Sequence, residues 1–183
     1  AGADVRISSD AAEILSAEKL LLPGVGSFDY GMRMLGASGL RDALDRFVLE
    51  FKRPVLGICL GAQILGKRSE EGMEPGLGWV DMTCRRFETM PGIRVPHMGW
   101  NQIMTKKYSM LLAEMRENAR FYFVHSYYLQ CMNPVDILAT TTHGIEFTCA
   151  IQHENIYGTQ FHPEKSLCDG LALLRAFVAI PSL

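Results

Sequence analysis

The segment Pro54-Val55-Leu56-Gly57-Ile58-Cys59-Leu60-Gly61-Ala62-Gln63-Ile64-Leu65 carries the strongest chemical signal in this chain. A short apolar run ends in Gly-x-Cys-x-Gly and passes at once into a helix-like run. That pattern predicts a strand driven through a sharp turn into a helix, with Cys59 at the apex. Gly57 and Gly61 flank the turn, where backbone meets backbone and a Cβ would clash. A thiol at a helix N-terminus faces unpaired N–H groups and a dipole that favour the thiolate. The next residue, Leu60, can aim its own N–H at an oxyanion. A buried structural cysteine is the alternative, and the two glycines with the strand-to-helix switch weigh against it.

A nucleophilic thiol needs a base, and the base needs an orienting group. Both are present between Asn155 and Ser166, where residues 156–161 read as a strand followed by His162-Pro163-Glu164. In an extended segment the side chains of His162 and Glu164 project to the same side, so the carboxylate can accept from one imidazole nitrogen while the other faces the thiol. Pro163 cannot donate to a ladder, which ends the strand there. Alone, His-Pro-Glu reads equally as a surface turn; beside the Cys59 turn it reads as a site at the carboxyl edge of an open sheet. A third element, Leu20 to Phe28, is a strand running into Gly24-Val25-Gly26. It lacks the third glycine of a dinucleotide fingerprint and any Gly-Lys-Ser/Thr. A second oxyanion N–H donor suits it better, with a plain strand-to-helix turn still open.

The elements that must position these groups alternate. Strand (4–8), short helix, strand (19–22), helices (28–35 and 39–50), strand (54–58) and helix (60–66) predict an α/β fold. Its sheet is open, mostly parallel and flavodoxin-like, flanked by helices. A polar loop spans 68–76. Short β segments such as 79–83, 121–128 and 145–152 predict an antiparallel extension, and a last helix runs from 171 to 179. The expected organisation is one domain over 1–183. At 48% hydrophobic residues and net charge −2, the chain can bury a core and shows no bias toward nucleic acid or membrane. The N-terminal residues do not read as a signal peptide. Five scattered cysteines, never in Cys-x-x-Cys spacing, point to free thiols in a cytoplasmic protein. The histidines show no paired ligand spacing, so no metal is expected.

Five motifs in order carry a resemblance. They are Leu22-Pro23-Gly24-Val25-Gly26-Ser27-Phe28, Gly57-Ile58-Cys59-Leu60-Gly61-Ala62-Gln63, Pro96-His97-Met98-Gly99-Trp100-Asn101, the run from Phe121 to Tyr128, and Gln160-Phe161-His162-Pro163-Glu164-Lys165-Ser166. The chain resembles the triad-type (class I) glutamine amidotransferases, and within them the glutaminase subunits of imidazole glycerol phosphate synthase, from about Lys19 to Phe177. The resemblance implies hydrolysis of L-glutamine to glutamate and ammonia without a cofactor. Cys59 would attack, His162 would move the proton and Glu164 would hold the imidazole. The Leu60 amide and one from Gly24, Val25 or Gly26 would bind the oxyanion. Gln63 and the backbone at Ser126 and Tyr127 would hold the amino-acid end of glutamine. Trp100, Asn101 and Lys165 would face a (β/α)₈ cyclase subunit in a heterodimer that receives the ammonia.

Family members usually begin with a strand, a loop and a helix ahead of the segment matching Ala3 to Ser8. The domain is therefore expected to lack that first strand and helix, with unpaired ladder groups where the strand would lie. Gly78-Trp79-Val80-Asp81 and Tyr157-Gly158-Thr159 lean toward glutaminases that supply a sugar amidotransferase of surface-polysaccharide synthesis. Outside the amidotransferases, a cysteine peptidase or acyl hydrolase and an inactive regulatory subunit are the rival readings.

Overall fold

The computed structural model describes residues 1–182. Helix α1 (Ala11–Ser16) precedes strand β1 (Leu20–Gly24), and α2 (Phe28–Ser38) and α3 (Arg41–Asp45) follow, α3 continuing as a π-helical turn, Arg46–Glu50. Strand β2 (Val55–Cys59) runs directly into α4 (Leu60–Gln63). Short strands come next: β3 (Arg68–Ser69), β4 (Met82–Arg86), β5 (His97–Gln102), β6 (Met104–Thr105), β7 (Arg120–His125) and β8 (Tyr127–Cys131). The chain closes with β9 (Ile137–His143), β10 (Ile145–His153), β11 (Ile156–Thr159) and α5 (Leu167–Ala179).

Strands β1, β2 and β11 form a parallel core, with Gly24 opposite Cys59 and Thr159 opposite Ile58. Beyond β11 the sheet becomes antiparallel through β10 and β8 to β4, with the two residues of β3 parallel to β4 at the far edge. Strands β9 and β6 branch from β10, while β5 and β7 pair as a separate ribbon. This is the expected α/β architecture, its parallel strands carrying the elbow.

Why β2 sits centrally follows from its composition. Every residue of it is buried, as a continuous apolar run predicts for a strand covered on both faces. Val55 joins Ile156, Leu60, Ala62, Leu65 and Trp79 on one side of the sheet. Leu56 and Ile58 join Tyr157, Phe121, Phe147 and Phe161 on the other. At the β2–α4 junction the two glycines are sterically obligatory. A Cβ on Gly57 would lie 2.5 Å from the Gly61 carbonyl oxygen, and one on Gly61 would collide with the Leu22 carbonyl oxygen of β1. The tight turn therefore exists only because both positions lack a side chain.

Several expected boundaries move. Residues 4–8 form no strand; Val5 and Ile7 are exposed, and no strand of the sheet lies alongside to pair with them. Helix α4 stops at Gln63, and the 68–76 loop begins with strand β3, which pairs with β4. The strand expected at 79–83 is shifted to 82–86, and α5 starts four residues earlier than its pattern suggested. The 121–128 strand is broken at Ser126 because the chain changes sheets there, β7 pairing with β5 and β8 with β4. Strand β11 ends at Thr159, after which the chain leaves the sheet and the His162 N–H reaches the Tyr122 carbonyl of the ribbon (2.9 Å).

Two glycines separate the steric argument from general helix propensity. Gly36 lies inside α2 with nothing within 4 Å of a Cβ, so Gly36→Ala should raise the melting temperature by roughly 1–3 °C. Gly61→Ala forces backbone apart and should lower it by about 5–10 °C, both read by circular dichroism.

Candidate active site

Cys59 occupies φ 54°, ψ −111°, a left-handed conformation that costs a side-chain-bearing residue about 1–3 kcal/mol. Gly57 and Gly61 hold it there by letting β1, β2 and α4 close around it. The sulfur accepts a long hydrogen bond from Gln160 Nε2 (3.8 Å). Gln160 Oε1 in turn accepts from Gln63 Nε2 (3.1 Å), which also reaches the Tyr127 carbonyl (3.4 Å). Burial pushes the Cys59 thiol up to about 11; the Leu60 N–H lowers it, Glu164 raises it, and Lys165 and Gln160 lower it. The expected helix-end stabilisation of a thiolate is thus outweighed in the resting chain. Desolvation penalises the anion, and α4, a single turn of four residues, has little dipole to oppose it.

His162 is buried, and its Nδ1 donates to Glu164 Oε1 at 2.7 Å. A carboxylate only accepts, so Nδ1 carries a proton; Nε2 is also buried, and no protein group bonds to it. The segment is not extended as expected. Pro163–Lys165 forms a 3-10 turn, and the turn brings the carboxylate round to the ring. Ser166 fixes the turn from behind, its hydroxyl donating to the His162 carbonyl (2.6 Å) and accepting the Tyr122 N–H (3.0 Å). Strand β11 lies beside β2, and Gln160, the residue after β11 and two ahead of His162, touches the Cys59 sulfur.

The Gly24-Val25-Gly26 segment closes the third side. A Cβ on Gly24 would lie 3.1 Å from the Gly61 nitrogen, so this loop packs directly on the elbow. Gly26 has φ 103°, and Val25 is exposed. Beyond the loop, Glu71 accepts the Phe28 N–H (2.8 Å), and Asp29 accepts those of Met73 and Glu74 (3.1 and 3.0 Å). These bonds pin the start of α2.

Residues 3–179 match the family model of class I glutamine amidotransferases. The chain belongs to that family. It is 50% identical over 179 residues to imidazole glycerol phosphate synthase subunit HisH 2 of Pseudomonas aeruginosa, covering 98% of this chain and 89% of that protein. It is 46% identical to subunit HisH of Bdellovibrio bacteriovorus, covering 96% of this chain and 88% of the relative. A solved glutamine amidotransferase superposes with a TM-score of 0.73 at 19% identity, over 97% of this chain and 86% of the other. That last likeness concerns the fold.

The remaining residues singled out in this amidotransferase fall in two groups. Gln63, Ser126 and Tyr127 meet beside Gln160, the Gln63 amide bonded to the Tyr127 carbonyl. Trp100 and Lys165 share one face: Trp100 meets the Tyr122 ring edge-on (6.1 Å), and Lys165 Nζ lies 5.9 Å from that ring. Asn101, the next residue of β5, turns to the opposite face, toward His97 and the Thr142 carbonyl. Gln160 has no role in the sequence reading although it touches the nucleophile candidate. Its one signal is a fully buried amide between the apolar stretch of β11 and Phe161. Among the described residues, no group of three or more His, Cys, Asp or Glu side chains is gathered as for a metal ion, and no helix is long and apolar enough to cross a membrane.

A thiol at about 11 has roughly one ionised copy in ten thousand at neutral pH. Iodoacetamide labelling of Cys59, followed by mass spectrometry of its peptide, should therefore accelerate about tenfold per pH unit from 7 to 9. A plateau below pH 8 would contradict a desolvated resting thiol.

Proposed function

We propose that this chain is the glutaminase subunit of an imidazole glycerol phosphate synthase. In this reading it hydrolyses L-glutamine to L-glutamate and passes the ammonia to a cyclase subunit in histidine biosynthesis. The reading is supported by a strained, buried Cys59 thiol at the end of β2 and, past the end of neighbouring β11, a buried imidazole whose Nδ1 is held by Glu164 and whose Nε2 has no partner. The identity of 45–50% to subunits named for that synthase supports the choice within the family.

The chemistry follows from the groups present. Cys59 Sγ attacks the side-chain amide carbon as His162 Nε2 removes the thiol proton. A thiol near 11 cannot wait as the anion, so the base acts at the moment of attack. The tetrahedral oxyanion is held by the Leu60 N–H and an N–H of the Gly24–Gly26 loop. His162 gives its proton to the departing nitrogen, ammonia leaves, and a glutamyl thioester stays on Cys59. Water then attacks that carbonyl with His162 as base, releasing glutamate and restoring the thiol. Glu164 keeps Nδ1 protonated throughout and stabilises the transient imidazolium. Gln63 and the peptide at Ser126–Tyr127 hold the amino-acid end of glutamine, and no cofactor enters any step.

The acceptor chemistry resides on the partner, docked on the face of Trp100 and Lys165. Cys59→Ala in the reconstituted complex should abolish glutamine-dependent product formation, by about 10⁴–10⁶ in kcat, while turnover with ammonium salt persists. Retained glutamine use would remove the nucleophile assignment.

Ammonia released without an acceptor is wasted, and docking of the partner would complete the oxyanion site by turning one peptide of the Gly24–Gly26 loop toward it. The chain without its partner should release glutamate about 10²–10³ times more slowly than the complex, the worth of one oxyanion donor. Equal rates at saturating glutamine would refute control through this loop.

A further inference from the structure

Two buried histidines outside the Cys59–His162–Glu164 group lie between the Trp100 face and the glutamine end of the site. His97 on β5 stands opposite His125 on β7, and both side chains are buried. His97 Nδ1 is 3.0 Å from His125 Nε2, and His125 Nδ1 is 2.7 Å from the Tyr127 carbonyl oxygen. At the other end, Asn101 Nδ2 is 3.4 Å from His97 Nε2 and 2.9 Å from the Thr142 carbonyl oxygen.

The carbonyl at the end of this chain decides every proton in it. Tyr127 O can only accept, so His125 carries its proton on Nδ1 and offers a lone pair at Nε2. His97 must then donate from Nδ1, which leaves its Nε2 to accept from Asn101. All three bonds run one way, from the half-buried Asn101 inward to the Tyr127 peptide. Dehydration keeps both rings neutral, His125 near 3 and His97 near 4; neighbouring imidazoles add to this, and the Tyr127 carbonyl opposes it at His125. His143 stacks on His97 with ring centres 4.2 Å apart, and Phe123 stacks on its other neighbour side at 4.7 Å, so the relay cannot slide sideways. A second directed chain reaches the same carbonyl, since Gln63 Nε2 donates to it and to Gln160, whose amide donates to the Cys59 sulfur.

We propose that His97 and His125 are positioning residues: a one-way hydrogen-bond relay that ties Asn101, the neighbour of Trp100 in β5, to the Tyr127 peptide that seats the amino-acid end of glutamine. The proposal rests on the glutaminase reading of that peptide. A displacement of β5 at the Trp100 face is carried by two rigid rings to Tyr127, and Gln63 and Gln160 connect the same carbonyl to the nucleophile. Substrate seating and the thiol thereby share one fixed point.

The test uses saturable alkylation of Cys59 in the full chain by a chloroketone analogue of glutamine, with iodoacetamide as a reagent that needs no amino-acid seat. His125→Phe keeps the ring and loses the donor; its half-saturating concentration should rise about fivefold to tenfold, with the limiting rate and the iodoacetamide rate within about twofold. His125→Asn restores a donor at the Nδ1 position and should return half-saturation to within about twofold of the unaltered chain. Asn101→Ala should raise it about twofold to threefold alone and add nothing in the His125→Phe background. Unchanged half-saturation in His125→Phe, additive effects of the pair, or a rate loss shared by both reagents would overturn the relay. If His125→Phe does not fold, unchanged half-saturation in Asn101→Ala overturns it as well. Failure of the unaltered chain to saturate with the glutamine analogue, while iodoacetamide labels it, would instead overturn the glutamine site beneath the proposal.

Discussion

Backbone-to-backbone contact at the β2–α4 elbow is the constraint on which the site depends. The Leu22 carbonyl of β1, the Gly61 peptide of α4 and the Gly57 position of β2 occupy one small volume, and none leaves room for a Cβ. Only that closeness forces Cys59 into its left-handed conformation. The same closeness sets Gly24 against Gly61, opposite Cys59 in the ladder. Neighbouring β11 carries the chain past β2, and beyond its end the His162 N–H bonds to Tyr122 of the ribbon. Three separate stretches of sequence, β1, the β2–α4 turn and β11, meet at one turn too tight for side chains.

Electrostatics at this turn set two effects against each other. A helix N-terminus and the Leu60 N–H favour a thiolate, while burial favours the thiol, and burial is larger. The outcome suits a base-assisted nucleophile: a thiol kept neutral until the imidazole is engaged reacts less with solutes that do not fill the site. Orientation of that imidazole is doubly secured, by Glu164 on the ring and by Ser166 on the peptide behind it.

Legibility from sequence followed the range of the interactions. Gly57, Cys59 and Gly61 announced the elbow because a turn is a local event, and the apolar run of β2 announced a central strand. His162 and Glu164 were paired correctly, though through a 3-10 turn where extended backbone was expected; spacing shows which residues are near, and the handedness of the turn depends on Ser166 and the ribbon behind it. Residues 4–8 have strand-like alternation, yet alternation cannot supply a neighbouring strand. The break at Ser126 was hidden for a similar reason, since Arg120 to Cys131 reads as one β run while its halves bond to different partners. Gln160, His97 and His125 gain meaning only from groups far along the chain, and Asn101 read as surface although its amide reaches a buried ring.

The two sides of β1 differ in the hydrogen bonds they offer. The Leu20 N–H donates to the Pro54 carbonyl toward β2, so alternation turns the peptide groups of Leu21 and Pro23 outward. A strand laid along this side of β1 would use those groups. Pro23 has no N–H, which leaves Leu21 as the only outward donor of the five residues. The proline that precedes the Gly24–Gly26 turn therefore also halves the donors that this side of β1 offers to a neighbour.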